Sequence, residues 1–411
     1  MPLPLYLLAV AVFAMGTSEF MLAGLLPDIA ADFGVTVATA GMLTPAFAVG
    51  MIAGAPVVAA LARNWPRRSG LLGFVLAFAA AHAVGAVTTS FTILFATRVL
   101  AALANAGFLA VALTAAATLV PAGRKGRALA VLLSGTTLAT IAGVPGGSLL
   151  GTVFGWRSAF WAVAALCLPA ALGIWLGISA KRVKAQRTGG PALRAELALL
   201  TRPRLLLAML LGALVNAATF ASFTFLAPVV TGTAGLDKLW IPVVLVLFGA
   251  GSFAGVTLAG RLSDRHPGLV LAAGGPLLLI GWPVLAVLAH QPAALCILVF
   301  VQGALSFALG STLITRVLYE AAEAPTMNGS YATAALNAGA AVGPLAAAAT
   351  LTTRAGALGP LWASGLMTAA ALLIAFPLRT TAAAGAGGST EVLPGRPGTG
   401  PRLTNDHRTG T

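Results

Sequence analysis

Two full charges sit inside otherwise apolar runs of this chain. Glu19 lies in VFAMGTSEFMLAGLL and Arg98 in FTILFATRVLAALANAG. A carboxyl group in such surroundings can take up and release a proton. Burial disfavours its charged form, and a nearby cation favours it. If each run is a helix that crosses a membrane, Glu19 falls about seven residues before the outer end of the first, and Arg98 about seven residues after the outer end of the fourth. At ~1.5 Å per residue both lie ~10 Å below the outer surface. A lone charge near the centre of a membrane helix costs at least ~2.5–3.5 kcal/mol. Both are therefore expected to face the interior, within reach of each other. The alternatives are a packed, protonated Glu19 and an Arg98 that reaches back to the interface.

Uncharged polar residues recur at helical spacing. Asn105 is seven residues after Arg98 and shares its face. Asn216, Phe220 and Phe223 form one stripe, Ser330, Thr333 and Asn337 another, and Gln302 sits near the middle of its apolar run. Polar groups beside aromatic faces suit an amphiphilic ligand with a few hydrogen-bonding groups; the competing reading is that the amides join helices. His82 has no acidic or cysteine neighbour at ligand spacing and reads as a neutral packed histidine. Asp28 and Asp32 read as caps of a short outer helix. Cys167 and Cys296 fall in apolar runs and give neither a metal spacing nor a disulfide framework. No metal and no cofactor is expected, the coupling ion being a proton.

The elements that must position these residues follow from composition. Of 411 residues 59% are hydrophobic and only 8% charged, against roughly 25% charged in soluble domains. Such a chain cannot cover a water-facing surface, and a lipid bilayer removes that need. Apolar segments long enough to span ~30 Å fall near 5–26, 38–62, 69–88, 91–115, 128–151, 157–178, 205–229, 240–262, 268–289, 292–316, 329–350 and 357–377. The expectation is an all-α membrane protein of twelve transmembrane helices. The first segment has no basic flank and is too long for a signal-peptide core.

The net charge of +14 raises the question of nucleic acid, but the basic residues sit in short loops without a basic face or aromatic platform. With the N-terminus inside, twenty Lys and Arg fall in inner loops and the C-terminal tail, against three (Arg157, Lys238, Arg354) in outer loops. That asymmetry places both termini in the cytoplasm of a cell-membrane protein.

The polar stretch 179–204 divides the chain into bundles 1–178 and 205–378, with a disordered cytoplasmic tail over 379–411. The halves repeat weakly: Gly50, Gly54 and Pro66 match Gly251, Gly255 and Pro267 at a constant offset. GAGSFA at 249–254 fits a dinucleotide fingerprint in form only, since no strand precedes it. SGTTLATIAGVPGGSLLGTVFGWRSAFW sets Gly135, Gly143, Pro145, Gly146, Gly147 and Gly151 in the fifth segment, where Pro145 should bend the helix and the glycines should let it pack tightly on a neighbour.

These residues carry a resemblance over about 3–378. The chain resembles the twelve-helix drug:proton antiporters of the major facilitator superfamily. GVPGGSLLGTVFGWRSAFW is similar to that family's fifth-helix antiporter motif. Arg98 stands where the family keeps a fourth-helix arginine implicated in proton transfer. GRLSDRHPG resembles its gating loop, with Asp264 and Arg265 in the charged positions; in the first-half copy, ARNWPRR, Arg63 replaces the acid. GTSEFMLAGLLPDIAADFG is typical of the bacterial sugar- and drug-efflux branch. GALVNAATFASFTFLAPVVT and GSTLITRVLYEAA are similar to chloramphenicol-resistance exporters of high-GC actinomycetes.

The resemblance implies a monomeric, proton-coupled exporter of a small hydrophobic drug, chloramphenicol, working by alternating access. Glu19 and Arg98 would couple the proton, and Asn105, Asn216, Phe220, Phe223, Gln302 and Asn337 would bind the drug. The rival readings are an exporter of sugars or other metabolites and, from another class, a non-transporting membrane receptor or assembly factor. No catalytic set is present in the sequence, so an enzyme is not expected.

Overall fold

The structure is a computed structural model that describes residues 2–61, 65–121, 124–178, 196, 198–263, 267–324 and 327–386. Among the described residues all regular structure is helical, and twelve helices are long and apolar enough to cross a membrane. The cause is the solvent: in lipid a backbone must satisfy its own polar groups, and a helix does so within one segment.

The first crossing is made of α1 (Leu3–Phe20) and α2 (Leu22–Phe33), joined at Met21. The short α3 (Val37–Gly41) leads into α4 (Leu43–Leu61), and α5 (Arg67–Val87) and α6 (Phe91–Thr118) follow. The fifth crossing is α7 (Lys125–Leu138), a wide π-turn over Ala139–Gly143, and α8 (Val144–Phe154). The sixth is α9 (Trp156–Gly177). The remaining crossings are α10 (Pro203–Thr224), α11 (Trp240–Ser263), α12 (Pro267–Leu288), α13 (Pro292–Glu320), α14 (Asn328–Thr350) and α15 (Gly359–Ala386). α15 runs into the stretch read as tail. Residues 387–411 and most of 179–204 lie outside the described residues, as do Arg63, Asp264 and Arg265.

Small residues bring these helices together without a hydrophobic drive between lipid-solvated surfaces. A side chain at Gly135 would run into the backbone of Ala9 and Phe13, one at Gly143 into Thr17, and one at Gly151 into Leu25; Gly147 lies against Met21. Four of the five motif glycines thus face the first crossing, while Gly146 faces open space. The π-turn precedes Pro145, which has no N–H to continue the ladder. In the repeat, Gly50 and Gly54 seat α4 on Ala102 and Ala106 of α6, and Gly251 and Gly255 seat α11 on Phe300 and Ala304 of α13. The 249–254 run therefore packs two membrane helices.

Residues before 178 meet those after 203 toward one end of the bundle. α14 lies on α3 and α4, α11 on α8, and α2 on α10. Ala347 and Ala348 join the core of the first six crossings, and Ala23 and Val144 join that of the last six. Lys238 donates to Asp28 at 2.7 Å at this same end.

Candidate functional site: a buried arginine and an aromatic cavity

The break at Met21 shapes the charged site. Ending α1 there leaves carbonyls of its last turn without the usual helical partners. Arg98, 1% exposed, reaches from α6 and donates to the Ser18 hydroxyl at 2.7 Å and to the Ser18 carbonyl at 2.9 Å. A cation at a helix C-terminus also meets the negative end of the helix dipole. The face of Phe47 covers the guanidinium, 4.5 Å from its carbon.

Glu19 is half-buried and outside ion-pairing distance of Arg98, though close enough to feel its charge. The two charges are expected within reach of each other; Arg98 is seated on Ser18, one residue from Glu19. Successive helical side chains point about 100° apart, so a guanidinium seated on Ser18 does not also clasp Glu19.

His82 is packed between Phe78 and Phe160, with ring centroids 4.3 and 5.5 Å away. It also does more than pack. Its Nδ1 lies 2.8 Å from the Phe78 carbonyl, which can only accept, so the proton sits on Nδ1. Nε2 is then free to accept from the Ser18 hydroxyl at 2.6 Å. Arg98, Ser18 and His82 form one donor-to-acceptor chain.

The second feature is a narrow cavity of about 10 Å³, lined by Phe20, Phe220, Phe223, Phe248 and Phe307 together with Thr140, Thr219 and Ser252. Ring centroids run 5.6 Å from Phe20 to Phe220, 4.8 Å from Phe223 to Phe248 and 6.1 Å from Phe248 to Phe307. Each lining hydroxyl donates to a carbonyl of its own helix, so each oxygen offers an acceptor to a guest. Behind Phe223 and Phe248 lies a small void of about 10 Å³ lined by Ser222, Trp282 and Gln302. The Trp282 indole N–H and Gln302 Oε1 have no hydrogen-bond partner among the described residues.

The structure gathers Phe220, Phe223 and Gln302 around these cavities and sends other expected ligand-binding residues elsewhere. Asn216 donates to the Leu336 carbonyl at 2.6 Å and ties α10 to α14. Asn337 is buried and donates to Thr333 of its own helix at 3.0 Å. Asn105 is buried beside Arg98's helix face with its amide oxygen unpartnered among the described residues. Spacing along the chain does not mark Ser18, Phe20, Phe248, Phe307 or Trp282. A serine beside a buried glutamate was the one available signal; single aromatics in apolar helices carry none.

Asp28 and Asp32 are not caps. The short helix α3 is capped by Thr36, whose hydroxyl accepts from Thr39 N at 3.1 Å. Asp28 takes Lys238, and Asp32 takes Arg157 and the Trp156 indole N–H. At Asp32 burial pushes the carboxyl up, but the hydrogen bonds from Arg157 and Trp156 and the arginine's charge outweigh it and bring it below the ordinary value. The stability this supplies is present above the ordinary carboxylate range of about 4 and is lost as pH falls through the lowered value. The thermal-stability gap between the protein and Arg157→Gln should accordingly narrow as pH is taken below about 4; a pH-independent gap would contradict the pairing.

Comparison with known proteins decides the family. The model of the Major Facilitator Superfamily matches residues 8–280. The chain belongs to the major facilitator superfamily. It is 78% identical over 380 residues, 92% of this chain and 97% of the relative, to a protein of Streptomyces lividans named "Chloramphenicol resistance protein". It is 33% identical, over 85% of this chain and 88% of the relative, to "Inner membrane transport protein YdhP" of Escherichia coli (strain K12). The fold matches the crystal structure of a bacterial homolog of the human lysosomal transporter Spinster with a TM-score of 0.68 at 18% identity, covering 92% of this chain and 94% of that one. This superfamily member is thus a multi-pass membrane transporter of a small molecule and not an enzyme.

Proposed function

We propose that this transporter exports chloramphenicol from the cell in exchange for protons. The 78% identity to the Streptomyces lividans resistance protein, over nearly the full length of both chains, carries the choice of substrate. The cavity's chemistry agrees with it. No lining residue of the aromatic cavity is charged among the described residues, so a neutral guest is favoured over an ion. Five phenyl rings suit an aromatic body, and the hydroxyl acceptors suit a guest's O–H and N–H groups. Drug-sized sites run ~300–1,000 Å³. The cavity as it stands has room of only about 10 Å³ for a water-sized guest, far short of that, so a drug would enter only as Phe223, shared by both voids, turns aside.

The cycle would be alternating access with both termini in the cytoplasm. The contacts between the halves then lie at the outer end, and drug enters from inside. Glu19 takes a proton from outside in the outward-facing state, where the drug leaves, and gives it up inward after reorientation. The Asp28–Lys238 bridge would latch the outer end. It is largely exposed, so its worth is ~0–1 kcal/mol. Lys238→Asp should shift the balance toward outward-facing molecules by at most about fivefold, and adding Asp28→Lys should restore it, as spin-label distances across that end would show. A double variant no better than the single one would contradict the latch.

Phe223→Ala removes a ring that contacts both voids. Losing its burial, worth ~1.5–3 kcal/mol, should weaken chloramphenicol binding about ten- to hundredfold. The overall reading is tested by resistance in an efflux-deficient host. Expression should raise tolerance of chloramphenicol and not of unrelated charged drugs, with fluxes of sugars unchanged. Sugar release without resistance would support a metabolite exporter instead.

A further inference from the structure

The proton-coupling reading leaves a difficulty that the geometry around Ser18 answers. If Glu19 were the only partner of Arg98, each protonation would strand a buried cation, which is strongly unfavourable. Arg98 is instead held by a hydroxyl and a carbonyl, both neutral, at 2.7 and 2.9 Å. The carbonyl is exposed by the helix break at Met21. The hydroxyl's own hydrogen is committed to His82 Nε2, which turns its lone pairs toward the guanidinium. His82 is in turn fixed by the Phe78 carbonyl and by the rings of Phe78 and Phe160. Ser18 is 0% and His82 1% exposed, so water does not compete for this chain of contacts.

We infer that Ser18 and His82 are positioning residues for proton coupling, which hold Arg98 on the end of α1 and off Glu19, so that Glu19 exchanges its proton without stranding the arginine. This rests on Glu19 being the coupling carboxyl group. Other charged or titratable side chains on the elements packed against α1 are Lys125 and Arg127 on α7, Arg157 and Cys167 on α9, and Asp28 and Asp32 on α2. Arg157 is engaged with Asp32, and Asp28 with Lys238. The charged or titratable residues that bond to Ser18 are Arg98 of α6 and His82 of α5.

The consequence is a pH profile. Without the Ser18 hydroxyl the guanidinium loses one of its two acceptors and is freed to turn toward the Glu19 carboxylate, which already lies close enough to feel its charge. A carboxylate clasped by arginine holds its charge to more acid pH, by about 1–3 units. The experiment is chloramphenicol-driven proton movement in proteoliposomes across a range of pH, for the protein, Ser18→Ala, His82→Phe and Glu19→Gln. Ser18→Ala should move the half-maximal pH at least about one unit to the acid side. His82→Phe, which keeps the aromatic stack but removes the acceptor, should move it the same way by less. Should Ser18→Ala not reach the membrane, His82→Phe carries the test alone. Variants that are less stable or less abundant yet keep the original half-maximal pH would overturn the inference and leave Ser18 and His82 with a packing role. Glu19→Gln separates the two levels: if it retains coupled proton movement, the coupling assignment itself fails; if it loses it while Ser18→Ala shows no shift, only the positioning role fails.

Discussion

Arg98→Lys is expected to lower chloramphenicol export at least about tenfold, although the charge is kept. The guanidinium spans the Ser18 hydroxyl and the Ser18 carbonyl with two parallel N–H groups while Phe47 covers its face. An ammonium is a point charge that cannot reproduce this fork. A hydrogen bond to a charged group is worth ~1.5–3 kcal/mol, and ~1.4 kcal/mol is a factor of ten in any equilibrium that depends on it. Arg98→Met would remove the charge as well and leave the buried Ser18 carbonyl without its donor, so export should vanish. Drug binding to the purified variants distinguishes a lost coupling step from a lost fold: binding should survive in Arg98→Lys. Export by Arg98→Lys at the full rate would mean that the fork has no part in the cycle.

The second large effect is expected at Gly135. A leucine there would strike the backbone of Ala9 and Phe13, which cannot turn aside as a side chain can. Overpacking a dense interior costs ~1–3 kcal/mol, and backbone contact places this site at the upper end. Gly135→Leu should therefore lower thermal stability and abolish export, because α7 and α1 must separate to accept it. Gly146 supplies the control. It belongs to the same motif but faces open space, so Gly146→Ala should leave both stability and export unchanged. Equal damage from the two substitutions would show that the motif acts through something other than close packing on the first crossing.

The contrast between these two glycines shows what was legible in the sequence. Composition and segment length gave all twelve crossings, because a bilayer permits little besides apolar helices of about 20 residues. The fifth-segment motif announced a thinned, bent helix, and the structure adds the partner, Thr17 and Met21 on the first crossing. Partners are set by three-dimensional packing, and spacing along one helix cannot name them. The same limit explains Arg98. Its place could be counted along the chain, but its partner depends on the break at Met21, where the chain has neither proline nor glycine. Asn216 shares one stripe of its helix with Phe220 and Phe223. Its amide is held by α14, whereas the two rings line the cavity. Phe248 and Phe307 come from helices whose apolar surfaces offer no period to distinguish a ring facing a cavity from one facing lipid.

Drug accumulation against an imposed proton gradient tests the central claim most directly. Proteoliposomes carrying the protein or Glu19→Gln would be loaded with a pH difference equivalent to roughly 100 mV, and labelled chloramphenicol would be followed across the membrane. One proton moved through that gradient supplies ~2.3 kcal/mol, enough for a drug gradient of about fiftyfold. The protein should build a gradient that approaches this value and collapses when the pH difference is abolished, while Glu19→Gln should bind drug and only equilibrate it. A Glu19→Gln protein that concentrates chloramphenicol as far as the unaltered one would contradict proton coupling through this carboxyl group.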